Sequence, residues 1–259
     1  MPKEQSVQQN DITIRRTCAN GFIGSAHGLS GSTLKLIACF TMLIDHTGAA
    51  VVWQLLSLPS IRAVPAEYDR IVTVYNIMRQ IGRLAFPIFC FLIVEGFFHT
   101  RNVRKYMMRL LVFALISEFP FDFALKTSWL YPQKQNVYFT LLIGLFVIYA
   151  MDRFRFLPAM QFMILLCGMT FARGLMTDYS YKGVFLIAVL YLFHDDRLLQ
   201  CFAGAGGIAW ENTAPPAFLL CYFYNGRRGI RLKYFFYLFY PVHLTILGIM
   251  RWFVVPRLF

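Results

Sequence analysis

Apolar residues gather into long runs separated by short charged stretches, as in a chain that crosses a bilayer repeatedly. The runs lie at about 34–58, 81–98, 106–125, 136–151, 157–177, 180–194, 199–224 and 234–255. They are too long and continuous for barrel strands, and helices remain as the way to satisfy lipid-exposed backbone. The pattern predicts an all-α fold, a polytopic membrane bundle of eight transmembrane helices. Segment 199–224 contains FAGAGGIAWENTAPPAFLL, whose glycines, Glu211 and the Pro215-Pro216 pair can divide it into two half-spans. That reading gives nine. Segment 59–80 mixes proline, charges and apolar residues and predicts a short interfacial helix. Residues 1–32 are polar and predict a flexible or surface-lying tail rather than a cleavable signal, because the first apolar run begins too far in. Residues 33–259 then form a single domain.

Composition sharpens this picture. The chain of 259 residues is 58% hydrophobic and only 15% charged, against about a quarter charged in soluble domains. The net charge of +12 comes from basic residues in short loops, which hold topology and face anionic lipids. Nucleic-acid binding is set aside, since no basic stripe lies on a soluble module. Arg15, Arg16 and Lys35 precede the first span, and Arg101, Arg104, Lys105 and Arg109 follow the second. Both clusters fall on one side, which places the N-terminal end in the cytoplasm. Arg227, Arg228, Arg231 and Lys233 join them only if segment 199–224 crosses an even number of times. The six cysteines are isolated, without zinc or redox spacing, and read as small buried hydrophobes.

Candidate chemistry begins with Asp45-His46, in the middle of LKLIACFTMLIDHTGAAVVWQLL. Ionisable groups inside hydrocarbon are costly, pair with one another and mark functional sites. Asp45 sits about 100° round the helix from His46, so its expected partner is a cation on another helix. His46 suits the role of general base. Lys35 lies almost three turns earlier on the same face, about 16 Å along the axis. A cation at the mouth and a base deep inside suit a long donor such as acyl-coenzyme A; the alternative is that Lys35 snorkels to the interface. In RQIGRLAFPIFCFLIVEGFFHTRNVRKY, Arg79 and Arg83 share a face, as do Glu95 and His99. Pro87 is expected to kink its helix, and Glu95 to pair with Arg83 or Lys35. Glu118 and Asp122 stand one turn apart, and Asn136 opens a span with Thr140 one turn later. Asp178 lies in a short loop; Tyr240 and His243 are a candidate donor and a second candidate base. No spacing supports a metal site.

KLIACFTMLIDHTG, RQIGRLAFPIFCFLIVEGFFHTRNVRKYMMRLLVFALISEFPFD, DYSYKGV and YNGRRG…YFFYLFYPVHL together resemble the TraX family in matching order over residues 33–250. The resemblance implies a bacterial inner-membrane protein that moves acetyl from acetyl-coenzyme A to an amine, the N-terminus of a pilin in the founding case. It marks Asp45, His46, Arg83, Glu95, His99, Arg101, Asp178 and His243 as site candidates. The family also looks distantly like acyltransferases of envelope polysaccharides, in which a basic residue precedes a first-span histidine; Lys35 and His46 match that arrangement. His46, Asp45, Glu95 and Arg83 are accordingly expected at the reaction centre, and Lys35, His99 and Arg101 at the donor. The expected partners are membrane lipids, acetyl-coenzyme A, and a protein N-terminus or envelope glycan. The rival reading is a proton-coupled transporter whose Asp, His and Glu residues form a relay.

Overall fold

The computed structural model describes residues 28–126, 128–230 and 232–258, and among them all regular structure is helical. Of the tail expected over residues 1–32, residues 1–27 lie outside the described residues. By Ser30 the chain is already structured. Its hydroxyl accepts from the Thr33 amide at 3.2 Å and caps α1, Gly31–Ser57, three residues earlier than the hydrophobic pattern indicates. A π-helical turn, Gly48–Val52, follows directly on His46 and Thr47. Such widened turns are frequent at functional sites.

The segment after α1 exceeds the expected short interfacial helix. After a single turn, α2 (Pro59–Arg62), comes the 18-residue α3 (Pro65–Gly82). Both start on proline, whose missing N–H costs nothing in a first turn. α3 runs back along the second half of α1, with Trp53 and Tyr75 in contact at 5.7 Å. A break at Arg83-Leu84 leads into α4 (Ala85–His99). Pro87 does not kink α4. It occupies the first turn, and the bend falls just before it.

The bundle is completed by α5 (Val103–Leu125), α6 (Val137–Arg153), α7 (Pro158–Gly174), α8 (Ser180–Leu192), α9 (Arg197–Gly207), α10 (Ala217–Tyr222) and α11 (Lys233–Ile249). α11 continues through a second π turn, Met250–Val254, to Leu258. Three stretches are long and apolar enough to cross a membrane by length and composition: Gly31–Ser57, Pro65–His99 and Tyr234–Leu258. The eight or nine spans expected from the runs are not matched by that many long apolar helices. α6 and α7 have 17 residues each, about 25 Å. α8 has 13, and α5 carries Arg104, Lys105, Arg109, Glu118 and Asp122. The core is nonetheless apolar, with Phe91, Ile88, Leu145, Ile148, Leu186 and Leu244 fully buried. Phe40, Phe146, Phe162, Phe171 and Phe202 point outward, as a hydrocarbon solvent favours.

Segment 199–224 folds as a helical hairpin. α9 and α10 flank an irregular tip at 208–216, and the two ends meet, with the Arg197 guanidinium 5.3 Å from the Tyr224 ring. Gly204 permits the close approach, since a Cβ there would lie 2.5 Å from Phe218. The hairpin leaves where it entered. Residues 223–230 then hydrogen-bond to the start of α1, Leu29 N–H to Phe223 at 2.9 Å and Gly31 N–H to Arg227 at 2.8 Å. Loops 126–136 and 175–180 meet at the opposite end, joined by Gln135 and Thr177.

Candidate functional site

Asp45 finds the expected cation on another helix. Arg79 of α3 bonds its carboxylate at 2.6 Å and also approaches its carbonyl at 3.4 Å. Gly82 makes room, since a Cβ there would fall 2.1 Å from that of Asp45. His46, one residue on, bonds through Nδ1 to Nε2 of His243 on α11 at 2.7 Å. Tyr240 stands edge-on to both imidazoles, at 5.9 and 5.8 Å, and Tyr138 of α6 packs edge-on to Tyr240 at 5.1 Å. Tyr138 also reaches the Tyr237 carbonyl at 3.5 Å, a group that Pro241 leaves without its helical donor.

Arg83 sits at the α3–α4 break and pairs with Glu211 at the hairpin tip, 3.2 Å away. Its guanidinium also faces the Tyr179 hydroxyl. Burial lifts the Tyr179 phenol well above its ordinary range against the opposing pull of Arg83, so it keeps its proton and remains a donor. Tyr179 stacks on Phe86 at 3.6 Å and lies 6.0 Å from Trp210. Met176, Tyr179 and Ser180 have φ of 51°, 60° and 46°, left-handed backbone that costs each about 1–3 kcal/mol and gathers at functional sites. Beside them, Asp178 pairs with Lys134 at 2.9 Å, and its carbonyl accepts from the Thr140 hydroxyl. His46 is therefore halfway along its own helix, yet level with the starts of the shorter α6 and α8.

Other candidates stand apart. Glu95 pairs with neither Arg83 nor Lys35. Ten residues beyond Ala85, about 15 Å down α4, it faces Arg197 at 2.9 Å, His194 at 3.5 Å and His99 at 3.8 Å. Sequence separation does not show that the end of α8 and the start of α9 bring His194 and Arg197 to Glu95. His99 turns its Nδ1–H to the Glu95 carbonyl at 2.8 Å, and Arg101 is exposed at the same end. Lys35 lies there too, its ammonium 5.5 Å from the Phe236 ring and near Arg228. Glu118 accepts from the Asn136 side chain, and Asp122 accepts from the Tyr131 amide at 2.6 Å, so both anchor the loop after α5. Arg79, Tyr179, Glu211, His194 and Arg197 are not marked as site residues by the sequence pattern. Arg79 was traceable from its spacing to Arg83; the others depend on the hairpin and the left-handed turn.

The match to known proteins covers the same ground. A family described as "TraX protein" matches residues 30–251. The chain belongs to the TraX family. Its similarity to a probable fimbrial assembly protein of Dichelobacter nodosus, FimC of serogroup H1, is 32% identity over 254 residues, spanning 84% of this chain and 94% of that protein. No solved structure matches significantly. The matched TraX region takes in every element that builds the two clusters, α1 and α3–α11. Together with its apolar helices, family membership makes this a membrane protein.

Proposed function

We propose that this protein is an integral membrane acyltransferase that moves acetyl from acetyl-coenzyme A to an amine, in the bacterial cytoplasmic membrane. The observation that carries the reading is the convergence of His46, His243, the Asp45–Arg79 pair and Arg83 from three long helices. Such a gathering in an apolar bundle is costly and is expected only where it works. Coenzyme phosphates dock at the Lys35 end, beside Arg228, His99 and Arg101, and the arm carries the thioester about 16 Å inward to His46. His46 takes the proton of the attacking amine, and Arg83 with the Tyr179 hydroxyl steadies the oxyanion that develops. Asp45 offsets the charge of Arg79. The acceptor approaches from the end formed by loops 126–136 and 175–180. The name of the Dichelobacter relative favours a protein acceptor over an envelope glycan.

The reading also sets the crossings. α1, α3–α4, α5, α6, α7, α8 and α11 make seven, and α9–α10 form a re-entrant hairpin that turns back within the membrane. Broken helices beside polar clusters also occur in transporters, which favours the rival relay, but no inverted repeat is visible in the sequence. One experiment separates them. Purified protein is given labelled acetyl-coenzyme A and an N-terminal amine acceptor; label is expected on the amine, and His46→Ala is expected to abolish it while still inserting into membranes. Lys35→Ala is expected to raise the donor KM with kcat little changed. Full transfer by His46→Ala protein would remove His46 from the chemistry, and an unchanged donor KM would remove Lys35 from the phosphate site.

A further inference from the structure

The hydrogen bonds around His243 define which nitrogen of His46 is basic. His243 Nδ1 lies 2.6 Å from the carbonyl oxygen of Phe239, one turn back on α11. A carbonyl only accepts, so this nitrogen carries the proton. With both imidazoles neutral, the state in which a base can act, His243 Nε2 is then an acceptor. Its partner at 2.7 Å, His46 Nδ1, must be the donor. The only unprotonated nitrogen left on His46 is Nε2. No hydrogen bond to that atom is found among the described residues, and His46 as a residue is half-buried.

The geometry suits a designed contact. The two rings are within 4° of coplanar at a centroid distance of 5.0 Å, so the N–H···N bond lies in the plane of the acceptor lone pair. His243 is itself held, stacked on Phe239 at 4.8 Å and flanked edge-on by Tyr240. We propose that His243 is a positioning residue, which fixes His46 as the Nδ1–H tautomer and so presents Nε2 as the base.

The proposal rests on the acyl-transfer reading for its catalytic consequence. When the amine attacks the thioester carbonyl, the new N–C bond forms and the amine proton passes to His46 Nε2. The Nδ1 proton of His46 moves to His243 Nε2 in the same imidazole pair, leaving one positive charge shared over two rings. As the C–S bond breaks, the protons return by the reverse path and His46 delivers one to the leaving thiolate. No other reactant is needed.

The test reads the tautomer directly, by ¹⁵N NMR of histidine-labelled protein with His46 assigned by difference against His46→Ala. The unsubstituted protein is expected to show the Nδ1–H form. His243→Leu, which packs in the apolar bundle but cannot accept, is expected to move His46 to Nε2–H and to lower kcat about 100-fold with the donor KM unchanged. His243→Gln retains an acceptor near the Nε2 position and is expected to keep the tautomer and recover most of kcat. An Nε2–H form in the unsubstituted protein, or a tautomer indifferent to His243→Leu, overturns the proposal whatever the activity. Correct tautomers with no acetyl transfer by the unsubstituted protein would instead defeat the acyltransferase reading and leave the positioning intact.

Discussion

Asp45 can face Arg79 only because residue 82 has no side chain. The added Cβ of Gly82→Ala would meet Asp45 Cβ at 2.1 Å, Oδ1 at 2.3 Å and Cγ at 2.5 Å, from two helices that both hold their backbones fixed. Overpacking of this kind costs about 1–3 kcal/mol, and here the relief available is to push the carboxylate off Arg79. Gly82→Ala is therefore expected to lower the unfolding midpoint in detergent and to reduce transfer at least tenfold; unaltered stability and activity would mean that the close approach has no consequence. At this scale the sequence was informative about which residues matter and poor about whom they meet. Asp45 and His46 stood out because charge is conspicuous inside an apolar run, and the need of Asp45 for a cation on another helix follows from helix geometry. The identity of that cation does not, and Glu95 pairs with Arg197 and His194 rather than with Arg83 or Lys35 for the same reason.

Two elements decide how these residues come together, the α3–α4 break and the α9–α10 hairpin. The break lets Arg79 and Arg83 approach Asp45, and the hairpin tip supplies Glu211 and Trp210. Its base is fastened by Glu95, whose carboxylate is only 5% exposed between Arg197 and His194. Removing one partner of a buried pair costs about 3–5 kcal/mol because the other is left uncompensated. Glu95→Gln is thus expected to destabilise the folded protein by about 3 kcal/mol in detergent unfolding. It should weaken transfer too, despite its distance from His46, because a loosened hairpin base releases the tip. A change of less than ~1 kcal/mol, which is the scale of an exposed pair, would show that the fastening is idle. The hairpin was half legible. FAGAGG and Pro215-Pro216 announced a break, since glycine and proline weaken helices, but the direction of the chain after a break depends on tertiary contacts. Pro87 marks the opposite case, a proline conspicuous in sequence that disturbs nothing because it falls in a first turn.

For the whole molecule, the hairpin changes the parity of the proposed topology. Residues 28–32, 99–105, 153–158, 193–197 and 223–230 share one end of the bundle, and they contain Arg101, Arg104, Lys105, Arg153, Arg155, Arg197, Arg227 and Arg228. Segments 58–64, 126–136 and 175–179 at the other end hold Arg62, Lys126 and Lys134, while Arg70, Arg173, Lys182, Arg251 and Arg257 lie there within helices. Short loops rich in Lys and Arg stay in the cytoplasm, so the first end is expected to face inward. The basic cluster at 227–228 reaches that side without a crossing by segment 199–224, which satisfies the charge bias that a single crossing would violate. A reporter fused after Leu258 is then expected outside the cytoplasm, as is one inserted near Gln133. Reporters near Arg155 and Asn225 are expected within it. Eight crossings would instead return Leu258 to the side of Gly28, so a cytoplasmic signal there would sink both the seven-span count and the hairpin as a re-entrant element. An external signal at Asn225 would show that segment 199–224 crosses, and would overturn the hairpin and the seven-span count together. The outcome also bears on chemistry. Under the proposed acyl transfer, only with the Lys35 end inside can a cytoplasmic nucleotide donor and an acceptor at the envelope face reach His46 from opposite directions.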